Sequence, residues 1–341
     1  MEFILLVSMF VSFVLTLIIL PKWIKKCNIV GLLWEDMNKF KHPKNVASSG
    51  GIVVILAFII GVLSYIAIKT YYLGVDGLFV KIFALLCVIL ILAIIGLTDD
   101  LLGWKHGGLS VRFRIFLVLA SSIPLVVINA GSHVINLPFF GTLNLGILYP
   151  LFFIPIGITG ATTTYNFLAG LNGLEAGQGI IVLGFLSFDA YRTNNLALGL
   201  IGLIMVSSLI VFYFYNKYPA KVFPGDIMTY SIGALIAIMT ILGNFEKIAV
   251  FVFIPYILET FLKLRGGLKK QSFGIPNEDG SLEMPYDKIY GLTHLSIFIL
   301  KKIKKDKKVY EKEIVYLIFL FQIIICFLAL VLFREALFLH V

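Results

Sequence analysis

The sequence predicts an all-α, polytopic membrane protein of about ten transmembrane helices, with both termini outside and one active face in the cytoplasm. Three observations carry this expectation. The 341 residues are 60% hydrophobic and only 14% charged, with a mean hydropathy of +0.99, whereas soluble chains carry roughly 25% charged residues. Ten apolar stretches approach the ~20 residues that a spanning helix needs. Of the 28 Lys and Arg residues, 23 lie in or beside the loops reached after an odd number of stretches. By the positive-inside rule those loops are cytoplasmic.

The stretch at 3–20 has no basic segment before it and no small-residue cleavage site after it. It reads as a retained helix, not a signal peptide. Stretch 50–68 carries no charge, and 77–97 carries only Lys81. Stretches 113–129 and 146–165 follow. Stretch 174–191 departs most from the pattern, with Glu175 and Gln178 in its first turns. Stretches 194–215, 226–243 and 247–264 come next, and 314–333 closes the set. The whole chain, 1–341, reads as one integral membrane domain, with a long cytoplasmic loop at 265–313. Within that loop, "KKIKKDKKVYEK" (301–312) places seven lysines in twelve residues, which suits an anionic lipid surface.

Cys27, Cys87 and Cys326 are far apart, so neither zinc spacing nor a disulfide framework is present. The five histidines are scattered, which argues against a histidine metal cage. The net charge of +9 is accounted for by cytoplasmic loops, so membrane lipids and not nucleic acid are the expected partners.

The same parity sorts the unusual polar residues. Asp99 and Asp100 follow the third stretch, "YNFLAGLNGLEAGQG" (165–179) follows the fifth, and "FPGDIMTY" (223–230) opens the eighth. The long basic loop follows the ninth. All four therefore lie on the cytoplasmic face, as one site assembled from four loops. Ionisable groups near bilayer depth are costly and mark function by default. Adjacent helical residues point about 100° apart, so Asp99 and Asp100 cannot both face one ligand squarely unless the helix ends there. Asp226 follows Pro224-Gly225 and suits either a helix cap or a Mg²⁺ ligand beside substrate phosphates. The amides and glycines of 165–179 suit close backbone approach to a ligand. Lys105, Arg112, Arg114, Arg265, Lys269 and Lys270 flank the acidic residues. Basic groups beside carboxylates and Mg²⁺ are the equipment of phosphoryl transfer.

These residues are specific enough for a resemblance. The chain resembles the polyprenyl-phosphate N-acetylhexosamine-1-phosphate transferases, most of all the eukaryotic and archaeal branch acting on dolichyl phosphate. "GLTDDLLGW" (96–104), "NFLAGLNGLEAGQ" (166–178) and "FPGD" (223–226) carry the likeness; "GSLEMPY" (280–286) and, more loosely, "KHPKNVASSGG" (41–51) extend it. It implies transfer of N-acetylglucosamine-1-phosphate (GlcNAc-1-phosphate) from UDP-GlcNAc to a polyprenyl phosphate with release of UMP, the first step of lipid-linked glycan assembly for N-glycosylation. It implies Mg²⁺, with Mn²⁺ as a substitute, held by Asn166 and Asp226. Gly170 and Phe223 would shape the uridine site with Asn172 beside them. Asp99 and Asp100 would activate or position the lipid phosphate, and Trp104 matches a residue near the amino sugar. A compact chain with no sorting signal implies the cell membrane of a prokaryote, an archaeon on this resemblance, and a homodimer is the expected assembly to test.

Two departures from the family pattern matter. The branch's lysine shortly after the aspartate pair aligns with Gly107, so its phosphate-binding role moves to Arg112 or Arg114. The histidine-containing cluster of the last loop aligns with "KKQSFGIP" (269–276), where Lys269 and Lys270 would act as point charges without arginine's fork. A bacterial-type transferase using undecaprenyl phosphate and another UDP-sugar is the nearest alternative. A secondary transporter would place its polar residues at the midplane. A membrane prenyltransferase would want a further carboxylate where Gly103 stands.

Overall fold

The computed structural model describes residues 2–74, 77–137 and 141–333; Arg334 and the expected outer C-terminus lie outside the described residues. The helices are α1 (Val7–Val30), α2 (Gly51–Ile68), α3 (Leu78–His106), α4 (Val111–Ala120), α5 (Ile123–Val127), α6 (Ile154–Phe167), α7 (Leu174–Arg192), α8 (Leu196–Asn216), α9 (Asp226–Gly243), α10 (Glu246–Val252), α11 (Ile254–Arg265), α12 (Leu292–Ile303) and α13 (Glu311–Leu332).

Six helices, α1, α2, α3, α8, α9 and α13, are long and apolar enough to cross a membrane, so the chain is a polytopic membrane protein. The other four predicted stretches are also helical, but less simply. Stretch 113–129 breaks between α4 and α5, where the Ser121 and Ser122 hydroxyls donate to the carbonyls of Val118 and Leu119 at 2.6 and 2.7 Å. Stretch 146–165 opens with a π-turn, Tyr149–Phe153, before α6. Stretch 247–264 breaks at Phe253 between α10 and α11, just ahead of Pro255, which has no amide to continue the ladder. Helix α7 is continuous, but Glu175, Asp189 and Arg192 keep it below the apolarity of the six.

The all-α expectation misses three short antiparallel hairpins. They pair β1 (Leu33–Glu35) with β2 (Lys44–Ala47), β3 (Val134–Leu137) with β4 (Gly141–Asn144), and β5 (Ile275–Pro276) with β6 (Leu282–Glu283). Two of them, β1–β2 and β5–β6, sit in loops that the parity assigns to the active face.

Helix α9 is the hub. Every residue from Ile227 to Leu242 is buried, and it packs against α2, α3, α6, α7 and α8. Between helices in lipid there is little hydrophobic drive, so small residues and polar contacts supply the packing. A side chain at Gly233 would come within 2.7 Å of the Ala161 carbonyl on α6. Thr16 and Ser208 share a hydrogen bond of 2.6 Å between α1 and α8, and Gln322 of α13 donates to the Val252 carbonyl at 3.0 Å. Large apolar side chains such as Phe10, Ile94, Phe116, Phe214 and Phe327 point outwards, as a lipid-facing surface requires.

Candidate functional site

The site begins where α3 meets the first turn of α9. A Cβ at Gly96 would stand 2.5 Å from the Ile227 amide nitrogen, so only glycine lets the helices approach this closely. One turn later Asp100 Oδ1 accepts the Asp226 amide at 2.7 Å, and Oδ2 accepts that of Ile227 at 3.5 Å. The residue before α9 is Gly225, at φ +72°, and a side chain there would run into the Asp100 carboxylate. Asp100 thus supplies from another helix the cap that Gly225 lacks, next to the positive end of the α9 dipole.

With its first turn capped in this way, α9 leaves the Asp226 side chain free to line a cavity. Asp99, its neighbour on α3, accepts the Leu109 amide at 2.6 Å and Arg114 Nη1 at 2.7 Å. The same Nη1 lies 3.6 Å from Asp226 Oδ2. One guanidinium therefore bridges the two carboxylates. Asn166, at the end of α6, accepts the Thr229 hydroxyl at 2.9 Å through Oδ1. Thr229 is one helical turn beyond Asp226, so it ties the Asn166 amide to the same corner of α9.

The cavity encloses about 400 Å³, within the ordinary range for a small-ligand site. Asp99, Asp100, Arg114, Asn166, Gly170, Phe223 and Asp226 all line it. Three of the four segments expected to meet contribute these residues, and the fourth, the loop after α11, contributes Phe273. The ring of Phe273 covers Gly170, where a Cβ would meet its Cε1 at 2.6 Å. Gly170 has φ +105°, and its amide donates to Glu175 Oε1 at 2.8 Å.

Five of the expected site residues are not brought into the cavity wall. Arg112 is exposed: two positions from Arg114 on one helix, it points to the opposite side. Trp104 is half-buried and outside the lining. Lys269 and Lys270 are exposed, and Lys270 Nζ sits 4.6 Å from the centre of the Tyr286 ring. Tyr286 in turn packs edge-on against His294, which is fully buried; desolvation holds that imidazole below its ordinary pKa. The side chain of Lys105 lies outside the described residues. Asn172 is buried away from the cavity, where it donates to Asp36 Oδ2 at 3.1 Å and Glu311 Oε2 at 2.8 Å.

Sequence reasoning missed Trp34, Asp36, Thr229 and Phe273, all in the lining, and Glu311 behind it. A signal existed for Thr229, at i+3 from Asp226 on the same helix face. Trp34 lies in β1 and Asp36 just after it, and nothing in their local pattern marks them.

Among the described residues no group of three or more His, Cys, Asp and Glu side chains is arranged to hold a metal. The Asn166 amide oxygen and the Asp226 carboxylate nonetheless fit Mg²⁺. That ion takes oxygen donors, commonly one or two carboxylates, with substrate phosphates and water completing the shell.

The family model described as glycosyl transferase family 4 matches residues 82–244, the interval that holds Asp99, Asn166, Gly170 and Asp226. A Saccharolobus solfataricus protein is 36% identical over 292 residues, 85% of each chain. A Sulfolobus acidocaldarius protein is 34% identical over 329 residues, 96% of this chain and 95% of its own. Both carry the provisional name UDP-N-acetylglucosamine–dolichyl-phosphate N-acetylglucosaminephosphotransferase. A Bacillus subtilis protein, provisionally named an undecaprenyl-phosphate N-acetylglucosaminyl 1-phosphate transferase, is 27% identical over 286 residues, 80% of this chain and 75% of its own.

Proposed function

The chain belongs to glycosyl transferase family 4, and from that membership we propose that it transfers GlcNAc-1-phosphate from UDP-GlcNAc to a polyprenyl phosphate such as dolichyl phosphate. The products are GlcNAc-diphospho-polyprenol and UMP, and the step opens lipid-linked glycan assembly. The observation that supports this most is the cavity in which Asp99, Arg114, Asn166 and Asp226 converge beside Gly170 and Phe223. It combines carboxylates, a guanidinium and backbone-accessible glycine, as a phosphoryl-transfer site with a nucleotide donor requires. The bias of basic residues supports a cytoplasmic position for it, in the cell membrane.

In this reading an oxygen of the lipid phosphate attacks the β-phosphorus of UDP-GlcNAc. The bond from that phosphorus to the bridging oxygen breaks, and UMP leaves with the electron pair. A phosphate monoester loses its second proton near pH 6, so little base strength is asked of the protein. Asp99, fixed by Leu109 and Arg114, orients the acceptor phosphate and takes a proton where one remains. Arg114 offsets negative charge between the two carboxylates and the reacting phosphates. Asp100 holds the first turn of α9, so that Asp226 is presented at a set angle. Asn166 and Asp226 would hold Mg²⁺, or Mn²⁺ in its place, which when bound neutralises the pyrophosphate and the leaving UMP. Gly170 and Phe223 flank the uridine end.

A bacterial-type acceptor has weaker support: the two archaeal relatives named for dolichyl phosphate are 34–36% identical over 85–96% of this chain, against 27% over 80% for the Bacillus subtilis relative named for undecaprenyl phosphate. The test is UMP release by purified protein in detergent with Mg²⁺, a polyprenyl phosphate, and UDP-GlcNAc, UDP-GalNAc or UDP-glucose supplied separately. UMP that requires lipid phosphate, Mg²⁺ and UDP-GlcNAc together is the expected result. Release with none of the three donors, from folded protein, would overturn the reading.

A further inference from the structure

Gly170 and Gly173 both stand in the left-handed region, at φ +105° and +88°. A loop with two such residues between α6 and α7 has no repetitive structure to fix its shape, so its neighbours must do so. Two buried carboxylates from distant parts of the chain are those neighbours. Glu311, the first residue of α13, is 2% exposed, and Asp36 is 1% exposed. Glu311 Oε1 accepts the Asn172 backbone amide at 2.7 Å and shares the Asn172 side-chain amide with Oε2 at 3.0 and 2.8 Å. Asp36 Oδ2 accepts the same side-chain nitrogen at 3.1 Å and is paired with Lys39 at 2.7 Å. At the other end of the turn, Asn38 Nδ2 donates to the Gly170 carbonyl at 2.8 Å and lies 3.5 Å from Glu311 Oε1. The turn is thus held at its Gly170 carbonyl and its Asn172 amide, with the Gly170 amide on Glu175, and Gly170 lines the cavity beside the Phe273 ring.

We infer that Glu311 is a positioning residue for the nucleotide end of the donor site. It acts through Asn172 and sets the Gly170 backbone at the distance the donor needs. Resting on the proposed function, this deepens it by assigning to the first turn of α13, outside the cavity, control over donor affinity and not acceptor affinity. Removing one partner of a buried hydrogen bond leaves the other unsatisfied, at a cost larger than the bond's own net contribution. Loss of the grip should therefore appear at the one substrate that touches Gly170.

The test compares wild type, Glu311→Ala and Glu311→Gln in steady-state UMP release, varying UDP-GlcNAc and polyprenyl phosphate separately, with direct binding of UDP to each protein. Glu311→Ala should raise KM for UDP-GlcNAc and weaken UDP binding by about tenfold or more, with KM for the lipid phosphate changed less than twofold. Glu311→Gln keeps an acceptor for the Asn172 amide and should recover most of the loss. Asn172→Ala should produce the same donor-side defect, and combining it with Glu311→Ala should add little. If Glu311→Ala does not yield folded protein, Glu311→Gln and Asn172→Ala carry the test alone. Unchanged donor KM and UDP binding in folded Glu311→Ala, or in Asn172→Ala where Glu311→Ala does not fold, would overturn the inference, as would equal losses for both substrates. Wild-type protein that releases no UMP would instead overturn the proposed function beneath it.

Discussion

Asp100 caps helix α9 from 126 residues away: its Oδ1 accepts the Asp226 amide at 2.7 Å, while a side chain at the cap position itself, Gly225, would collide with it. The two adjacent aspartates at the end of α3 therefore divide their work. Asp100 builds the site and Asp99 faces it. Replacing Asp100 by Ala should remove the cap, cost about 0.5–2 kcal/mol of stability, and lower both the melting temperature in detergent and activity. Asp100→Asn, which still accepts a hydrogen bond, should keep most of the melting temperature. Asp99→Asn should unfold no earlier than wild type and yet lose transfer. Thermal melts and UMP release on the same preparations separate the two roles.

The bridging of Asp99 and Asp226 by one Arg114 nitrogen makes the two nearby arginines unequal. Arg114→Ala should reduce transfer by roughly 10²–10³-fold, the usual cost of losing one preorganised donor at a developing charge. Exposed Arg112 should tolerate Ala within a few fold. The reverse ranking in kcat would return the phosphate-binding role to Arg112.

The proposed metal site at Asn166 and Asp226 is tested directly by Mg²⁺ dependence. Chelation with EDTA should stop UMP release, and added Mg²⁺ should restore it. Thr229→Val removes the hydroxyl that orients Asn166, so about tenfold more Mg²⁺ should be needed for half-maximal rate. An unaltered Mg²⁺ dependence would mean that Asn166 does not depend on Thr229 for its orientation.

Gly170 is constrained twice, by its φ of +105° and by the Phe273 ring against it. Gly170→Ala should weaken the donor interaction, through roughly 1–2 kcal/mol of backbone strain and through the clash. Adding Phe273→Ala should relieve the clash but not the strain, so only part of the donor KM should be recovered. Full recovery would assign the whole effect to the ring.

The legible features of the sequence were those written locally. Apolar runs mark the helices because length and hydropathy are properties of one segment. The charge asymmetry sorts the loops without any tertiary information. The motifs at 96–104, 166–178 and 223–226 name most of the cavity. What stayed hidden depends on how segments cross. The division between Asp99 and Asp100 follows from the contact at Gly96 between α3 and α9. Arg112 and Arg114 differ only by helical phase, which their spacing does not resolve. Asn172 reads as a ligand group because the partners that turn it away, Asp36 and Glu311, are 136 and 139 residues distant. The breaks at Ser121–Ser122 and before Pro255 did have local signals, in hydroxyls that bond back to the helix and in the missing proline amide.

The central claim is that the sugar moves together with its phosphate. The most direct measurement supplies UDP-GlcNAc labelled with ³²P at the β-phosphorus, together with polyprenyl phosphate and Mg²⁺, and separates lipid from water-soluble products. The expected result is label in the lipid fraction as GlcNAc-diphospho-polyprenol, with unlabelled UMP in the aqueous phase and neither formed by Asp226→Ala. Label retained in an aqueous nucleotide, with sugar alone reaching the lipid, would contradict it.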